Sequence, residues 1–185
     1  MESMYGLSRL GKKIILAGAA AICAVTFQPG QAKAAPQNVI EIGQYDHWGA
    51  YWYRDSAGIV CYILSRPTKS KGNYTKRGDV YAIVTHRPAL KQTNVVSFLA
   101  GYRFKENSDV QVKLDGKNSH NLFTHQETAW ARTSKTDSAI VSQMKAGAKM
   151  LVSGRSWRGT LTTDTYSLIG FTKAYNAISQ KCRVR

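Results

Sequence analysis

Apolar positions fall mostly into short runs separated by turn-forming residues. Residues 48–54 (WGAYWYR) are rich in aromatics, and 59–65 (IVCYILS) form a continuous apolar run. Residues 80–86 (VYAIVTH) and 95–102 (VVSFLAGY) are β-branched and aromatic, the composition of buried strands. Residues 110–114 (VQVKL) alternate strictly, which predicts one face in water. Asp115-Gly116 is a hairpin signal, with 121–125 as the return strand. Segments 128–132, 149–155 and the Thr-rich, alternating 159–168 complete the set.

Two segments carry helical spacing instead. Thr136 or Asp137 is placed to cap a helix whose apolar positions Ile140, Val141 and Met144 share a side, with Gly147 just past its end. From about residue 170 to 180, Phe171, Ala174 and Ile178 lie on one face, and Lys181, Arg183 and Arg185 follow where cations favour the negative end of the helix dipole. Many short strands with turn signals between them predict a mainly β, sandwich-like single domain with two short helices, one at the C-terminus.

The N-terminal stretch has a different organisation. Arg9, Lys12 and Lys13 precede the apolar run 14–27 (IILAGAAAICAVTF), and Ala32-Lys33-Ala34 offers small residues at cleavage spacing. The order fits a secretory signal peptide over 1–34, cut between Ala34 and Ala35, with a single domain over 35–185. The apolar run is shorter than the ~20 residues a spanning helix needs, as are all later runs, so no transmembrane anchor is expected in the mature form. A periplasmic or secreted location follows. Of the 26 basic residues four lie ahead of Ala35, and of the 11 acidic residues one, so the remainder carries about +12. Such a charge attracts anionic surfaces and polymers at long range and says nothing about fold. Cys61 and Cys182 are the two cysteines beyond the signal. In an oxidising compartment the simplest reading is one disulfide, with two buried free thiols as the alternative.

Candidate chemistry is sparse. Residues 154–159 (GRSWRG) are one residue too long for a G-x-S-x-G nucleophile turn and sit between two predicted strands, so they read as a hairpin turn. His120 and His125, five apart on one strand, would face opposite sides, and His47 and His86 lie far off in sequence; no metal site is expected. The acidic residues form no paired motif, and Asp46-His47 would point apart on a strand. No catalytic residue and no cofactor are assigned. A hydrolase would need His47 or His86 to meet an acid and a nucleophile from distant strands.

Two segments suggest binding. Residues 45–53 (YDHWGAYWY) hold five aromatics. Tyr51 and Tyr53 share one strand face and Trp48, Ala50 and Trp52 the other. One set can be core and the other an exposed row, unless a second element covers it. The polar loop 66–77 (RPTKSKGNYTKR) is the densest basic segment, with Arg66, Lys69, Lys71, Lys76 and Arg77 around Tyr74. Basic residues with an interleaved aromatic can track a chain of anions. An exported protein seldom meets nucleic acid, so a glycan, lipid head group or acidic protein is the expected anion. A solvated loop whose charges protect a sheet edge is the bland alternative.

The order of several words resembles one family. A Trp-rich first strand (HWGAYW) is followed by a Cys-bearing strand with a polar tail (IVCYILSRPTKS), then by TDTYSLIGFTKA at 163–174 and a last cysteine. This pattern resembles the invasion-associated locus B family of bacterial exported proteins. The resemblance implies a compact, mainly β domain in the periplasm or outside the cell, and some members are linked to host-cell entry. It brings no catalytic residues with it. It also implies that Gly170-Phe171 marks a strand-to-helix corner, with Phe171 plugging the core. The expectation is therefore an exported, non-enzymatic protein that binds an anionic envelope or host-surface component. A structural or chaperone-like envelope protein, or a periplasmic hydrolase, are the alternatives.

Overall fold

In a computed structural model of the chain, eleven antiparallel strands join edge to edge in the order β1-β2-β3-β5-β6-β9-β8-β7-β10-β11-β4. They are β1 (Ile40–Tyr45), β2 (Trp48–Asp55), β3 (Gly58–Ser65), β4 (Lys69–Gly72), β5 (Tyr81–Arg87), β6 (Gln92–Leu99), β7 (Val110–Leu114), β8 (Asn118–His125), β9 (Thr128–Trp130), β10 (Lys149–Arg155) and β11 (Leu161–Ser167). Helix α1 spans Ser134–Ala146 and α2 spans Phe171–Cys182. The structure describes residues 38–184, which belong to one compact unit. The expected signal segment and its cut at Ala34–Ala35 lie outside the described residues.

Two corners fold this ribbon onto itself. Strand β8 pairs with β7 through Asn118–Leu122 and with β9 through Phe123–His125, so it belongs to both halves. At the other corner the chain leaves β3 and, three residues on, enters β4 on the far side; Thr68 N–H already donates to Thr165 O at 2.7 Å. The inner faces therefore meet: the Phe98 ring on β6 lies 6.4 Å from that of Tyr166 on β11. The expected β-rich, sandwich-like fold with two helices is the fold observed. Strict alternation in β7 does bury Val110, Val112 and Leu114 and expose Gln111 and Lys113. Asp115 and Gly116 both take positive φ, as the predicted hairpin turn requires.

The helices close the remaining side of the core. The cap of helix α1 lies three residues before the expected Thr136: Thr133 takes that role, and its side chain accepts from Thr136 N–H. Ile140, Val141 and Met144 are buried as their spacing requires. Asp137, the other expected cap, instead sits buried one turn in, where its carboxylate accepts from the Val96 N–H of β6. Helix α2 runs to Cys182, two residues past the expected end, and buries Phe171, Ala174, Tyr175 and Ile178. Its corner residue Gly170 has φ +89°, and a Cβ there would stand 2.0 Å from the Tyr45 carbonyl oxygen. Only glycine fits both demands. Phe171 meets the buried Trp48 edge to face at 4.9 Å, and the Trp48 indole N–H donates to Ser167 O. A Cys61–Cys182 disulfide, Cα–Cα 6.0 Å, fastens the end of α2 to β3.

Two strands lack a hydrophobic signal strong enough to predict them. Strand β4 (KSKG) lies within the segment read above as one long loop, and all four of its residues are exposed. Its partner β11 holds it, in register from Thr162↔Gly72 to Thr165↔Lys69. Strand β1 forms the opposite edge, next to β2.

Candidate functional site

The six residues of the basic loop do not form one patch. Arg66 pairs with Asp79 at 3.1 Å and lies over the Tyr81 ring at 4.5 Å, beside a depression that His47 and Tyr51 also line. Lys69 and Lys71 stand on edge strand β4 opposite Thr165 and Thr163. Side chains alternate across a strand. Ser70 between them turns inward to bond Asp164, so the two lysines point outward. Tyr74, Lys76 and Arg77 come together with the β10–β11 turn around an open cleft of about 620 Å³.

Arg77 departs from its expected role. Its guanidinium makes a two-pronged ion pair with Asp164, both contacts 2.7 Å, and its Nε–H donates to Ala100 O at 2.6 Å. The side chains of this pair are only 6% and 5% exposed. Burial alone would lower the Arg77 pKa, but the bonds and charge of Asp164 raise it above its ordinary value. The guanidinium also lies 4.9 Å from the Tyr102 ring centre and 5.6 Å from that of Tyr74. Arg77 thus builds the floor, and its charge is already matched by Asp164. The void beneath it, about 10 Å³, is too small for any ligand.

The opposite wall comes from residues read above only as a hairpin turn. The turn is tight: Ser156 N–H donates to Thr160 O, Thr160 N–H to Ser156 Oγ, and Trp157 N–H to Arg103 O at 2.8 Å. Trp157 nevertheless leaves 60% of its surface exposed. The Arg158 guanidinium stacks over its ring at 4.8 Å. Trp157 separates this cleft from a second depression of about 490 Å³ bordered by Arg103, Lys105 and Glu106. The signal that could have found this wall was a tryptophan between two arginines in a predicted turn, where no core lies within reach. Lys76 and Arg158 line the cleft together with neutral hydroxyl and amide side chains, and no carboxylate is part of its lining. At the aromatic segment, Trp48 and Ala50 are buried. Tyr51 and Tyr53 are half-buried on the other strand face, where Tyr62 stacks 5.4 Å from Tyr51.

The histidines are dispersed. His86 is buried, with Nδ1 accepting from Asn94 N–H at 3.1 Å. Its proton is therefore on Nε2, which donates to Ser179 Oγ at 3.3 Å, the reverse of what a general base needs. Burial, aided by the nearby Lys145 charge, pushes its pKa down to about 4. His120 bonds Gln143 through α1. Among the described residues, no three His, Cys, Asp or Glu side chains gather as a metal site, and no helix is long and apolar enough to cross a membrane.

These features define a class: a basic, antiparallel β domain closed by one disulfide and carrying a cationic, aromatic-walled cleft. A family model described as invasion associated locus B (IalB) protein matches residues 53–179, and the chain belongs to that family. No curated protein and no solved structure matches it.

Proposed function

We propose that this protein is exported and works by binding, not catalysis, taking an anionic component of the cell envelope or of a host surface into the cleft between Tyr74–Arg77 and Trp157–Arg158. The observation that carries this reading is the charge of the lining: Lys76 and Arg158 face the cleft, no carboxylate does, and the third cation, Arg77, is neutralised below. Lys69 and Lys71 on the neighbouring edge strand add to the attracting field. Family membership and the disulfide support a place outside the cytoplasm, and membership supports a contribution to host-cell invasion. A second reading, a structural or chaperone-like envelope protein, is favoured by the half-exposed Tyr51–Tyr62 face.

The test is binding of the protein, recovered from its own cells, to membranes and surface extracts at low and at physiological ionic strength. Lys76→Glu with Arg158→Glu should weaken binding at least about tenfold, and salt should weaken the unaltered protein steeply. Binding that ignores both the substitutions and salt overturns the electrostatic reading and favours the tyrosine face. Intact mass of the same material tests export: the value for residues 35–185 less two hydrogens is expected, and a full-length reduced cytoplasmic chain refutes it.

A further inference from the structure

Resting on that reading, we infer that the cleft takes an acidic saccharide, with a sugar ring seated against the Trp157 indole and its acidic group met by Lys76 and Arg158. An anion alone would need only cations. The walls of this cleft offer much more than charge. Trp157 is exposed although its own N–H and those of Ser156 and Gly159 around it are hydrogen-bonded, so its exposure is a property of a held turn. With its backbone held and Arg158 stacked on its ring, the indole loses less freedom on binding than a side chain on a loose loop. Across the cleft Tyr74 is 38% exposed. Its ring lies so close to Gly72 that a Cβ there would come within 2.9 Å of it, and Gly72 takes φ +157°. Glycine at this position lets the tyrosine lie flat against the sheet edge.

Between the two rings the lining is neutral and rich in hydrogen-bonding groups, with Asn73, Thr75 and Thr160 among them. A pyranose has one apolar C–H face, a rim of hydroxyls and, when oxidised or sulfated, one negative group. Each of these has a counterpart here: ring faces, neutral donors and acceptors, and two unmatched cations. Binding pockets commonly combine apolar walls with a few placed polar groups in this way. A flat lipid surface would meet the exposed Trp157 ring and the two cations but leave the hydroxyl and amide groups inside the cleft unused. A bare polyanion would use the cations and leave both rings idle.

The test is isothermal titration of the unaltered protein and its variants with four probes: an oligogalacturonate, a heparin-type sulfated oligosaccharide, inorganic polyphosphate and neutral dextran. Vesicles containing phosphatidylglycerol are a fifth arm. One or both acidic oligosaccharides should bind, and which of them binds separates a carboxylated from a sulfated source. Trp157→Ala should weaken that binding by roughly tenfold, the scale of an aromatic contact. Trp157→Phe should recover most of it. Polyphosphate binding should change less than about twofold in Trp157→Ala, while Lys76→Glu/Arg158→Glu weakens both ligands. Because the indole is largely exposed, thermal unfolding of Trp157→Ala should match the parent.

Saccharide binding that ignores Trp157→Ala, or polyphosphate binding that falls equally with it, overturns the inference. Polyphosphate binding without saccharide binding also overturns it and leaves the proposed function standing. Vesicle binding that depends on Trp157 while oligosaccharides fail to bind replaces the saccharide by a lipid surface. Failure of every anion removes both readings.

Discussion

Replacing Asp164 should damage the fold far more than any exposed charge of the same domain. The carboxylate sits on β11 with its side chain 5% exposed and receives two bonds from Arg77 and one from Ser70 Oγ, each 2.7 Å. Asp164→Ala removes all three and leaves a buried guanidinium with Ala100 O as its remaining hydrogen-bond acceptor. An uncompensated buried charge of this kind costs about 3–5 kcal/mol. With a urea m-value of about 1–3 kcal/mol/M, the unfolding midpoint should fall by roughly 2 M. The same edit frees Ser70 and should loosen edge strand β4, visible as faster amide exchange at 69–72. Arg77→Met/Asp164→Leu removes both charges together and should recover most of the loss, because a buried pair is often nearly neutral against apolar residues of similar volume. The assay is urea unfolding by fluorescence at neutral pH with the disulfide intact. A loss below about 1 kcal/mol for Asp164→Ala would refute the assignment of Arg77 to the frame. So would a double variant no better than the worse single one.

Three further outcomes follow from other parts of the frame. Reducing the Cys61–Cys182 disulfide, which spans 121 residues of sequence, should lower stability by up to about 4–5 kcal/mol, read as a lower urea midpoint in reductant; an unchanged midpoint would deny the bond its role. His86 has its folded pKa pushed from 6.5 down to about 4, so its contribution is complete above pH 6.5 and is lost as pH falls toward 4. That loss is on the order of 3 kcal/mol, and comparison with His86→Gln across pH 7 to 4 should isolate it; parallel pH profiles would show the imidazole to be better solvated than its burial implies. Gly170→Ala should cost about 2 kcal/mol or more by thermal unfolding, since the added methyl meets the Tyr45 carbonyl at a left-handed φ; a neutral result would mean that the β1–β2 turn yields easily.

The strands that feed the core were legible because burial writes itself into sequence. Ile63, Val84, Phe98 and Val112 lie at alternating positions of runs that no other local structure explains. The covered face of β2 was legible as an alternation, with Trp48 and Ala50 on one side and Tyr51 and Tyr53 on the other, but only tertiary structure shows that α2 takes the first pair. Strand β4 was not legible, since its hydrogen bonds with β11 are backbone bonds and leave no hydrophobic trace in KSKG. The cleft was half legible. Tyr74, Lys76 and Arg77 were singled out by charge density, yet sequence cannot tell a free cation from one whose carboxylate arrives from residue 164. Trp157 and Arg158 carry no such signal because a turn reads as punctuation, and their meeting with a loop some eighty residues earlier depends on the second corner of the sheet.

The same accounting explains why the positive charge is available at all. Of the ten acidic residues from Ala35 onward, Asp55, Asp79, Glu106, Asp109 and Asp164 are held in ion pairs with Arg87, Arg66, Arg103, Arg132 and Arg77. Asp115 accepts from the backbone N–H groups of Ala148 and Lys149, and Asp137 from that of Val96. Seven of the ten are therefore committed to internal contacts, several of them tying segments far apart in sequence. Asp55 is held below its ordinary pKa by such contacts: burial opposes this, but bonds from the Ala57 and Gly58 N–H groups and from Arg87 outweigh it. Among the described residues the fold uses most of its carboxylates and leaves most of its cations without a carboxylate partner. Unpaired surface cations repel one another and add little to stability. Lys76 and Arg158 add no ion pair to the frame, and on the proposed reading they are the charges that an anionic ligand meets in a cleft lined by no carboxylate.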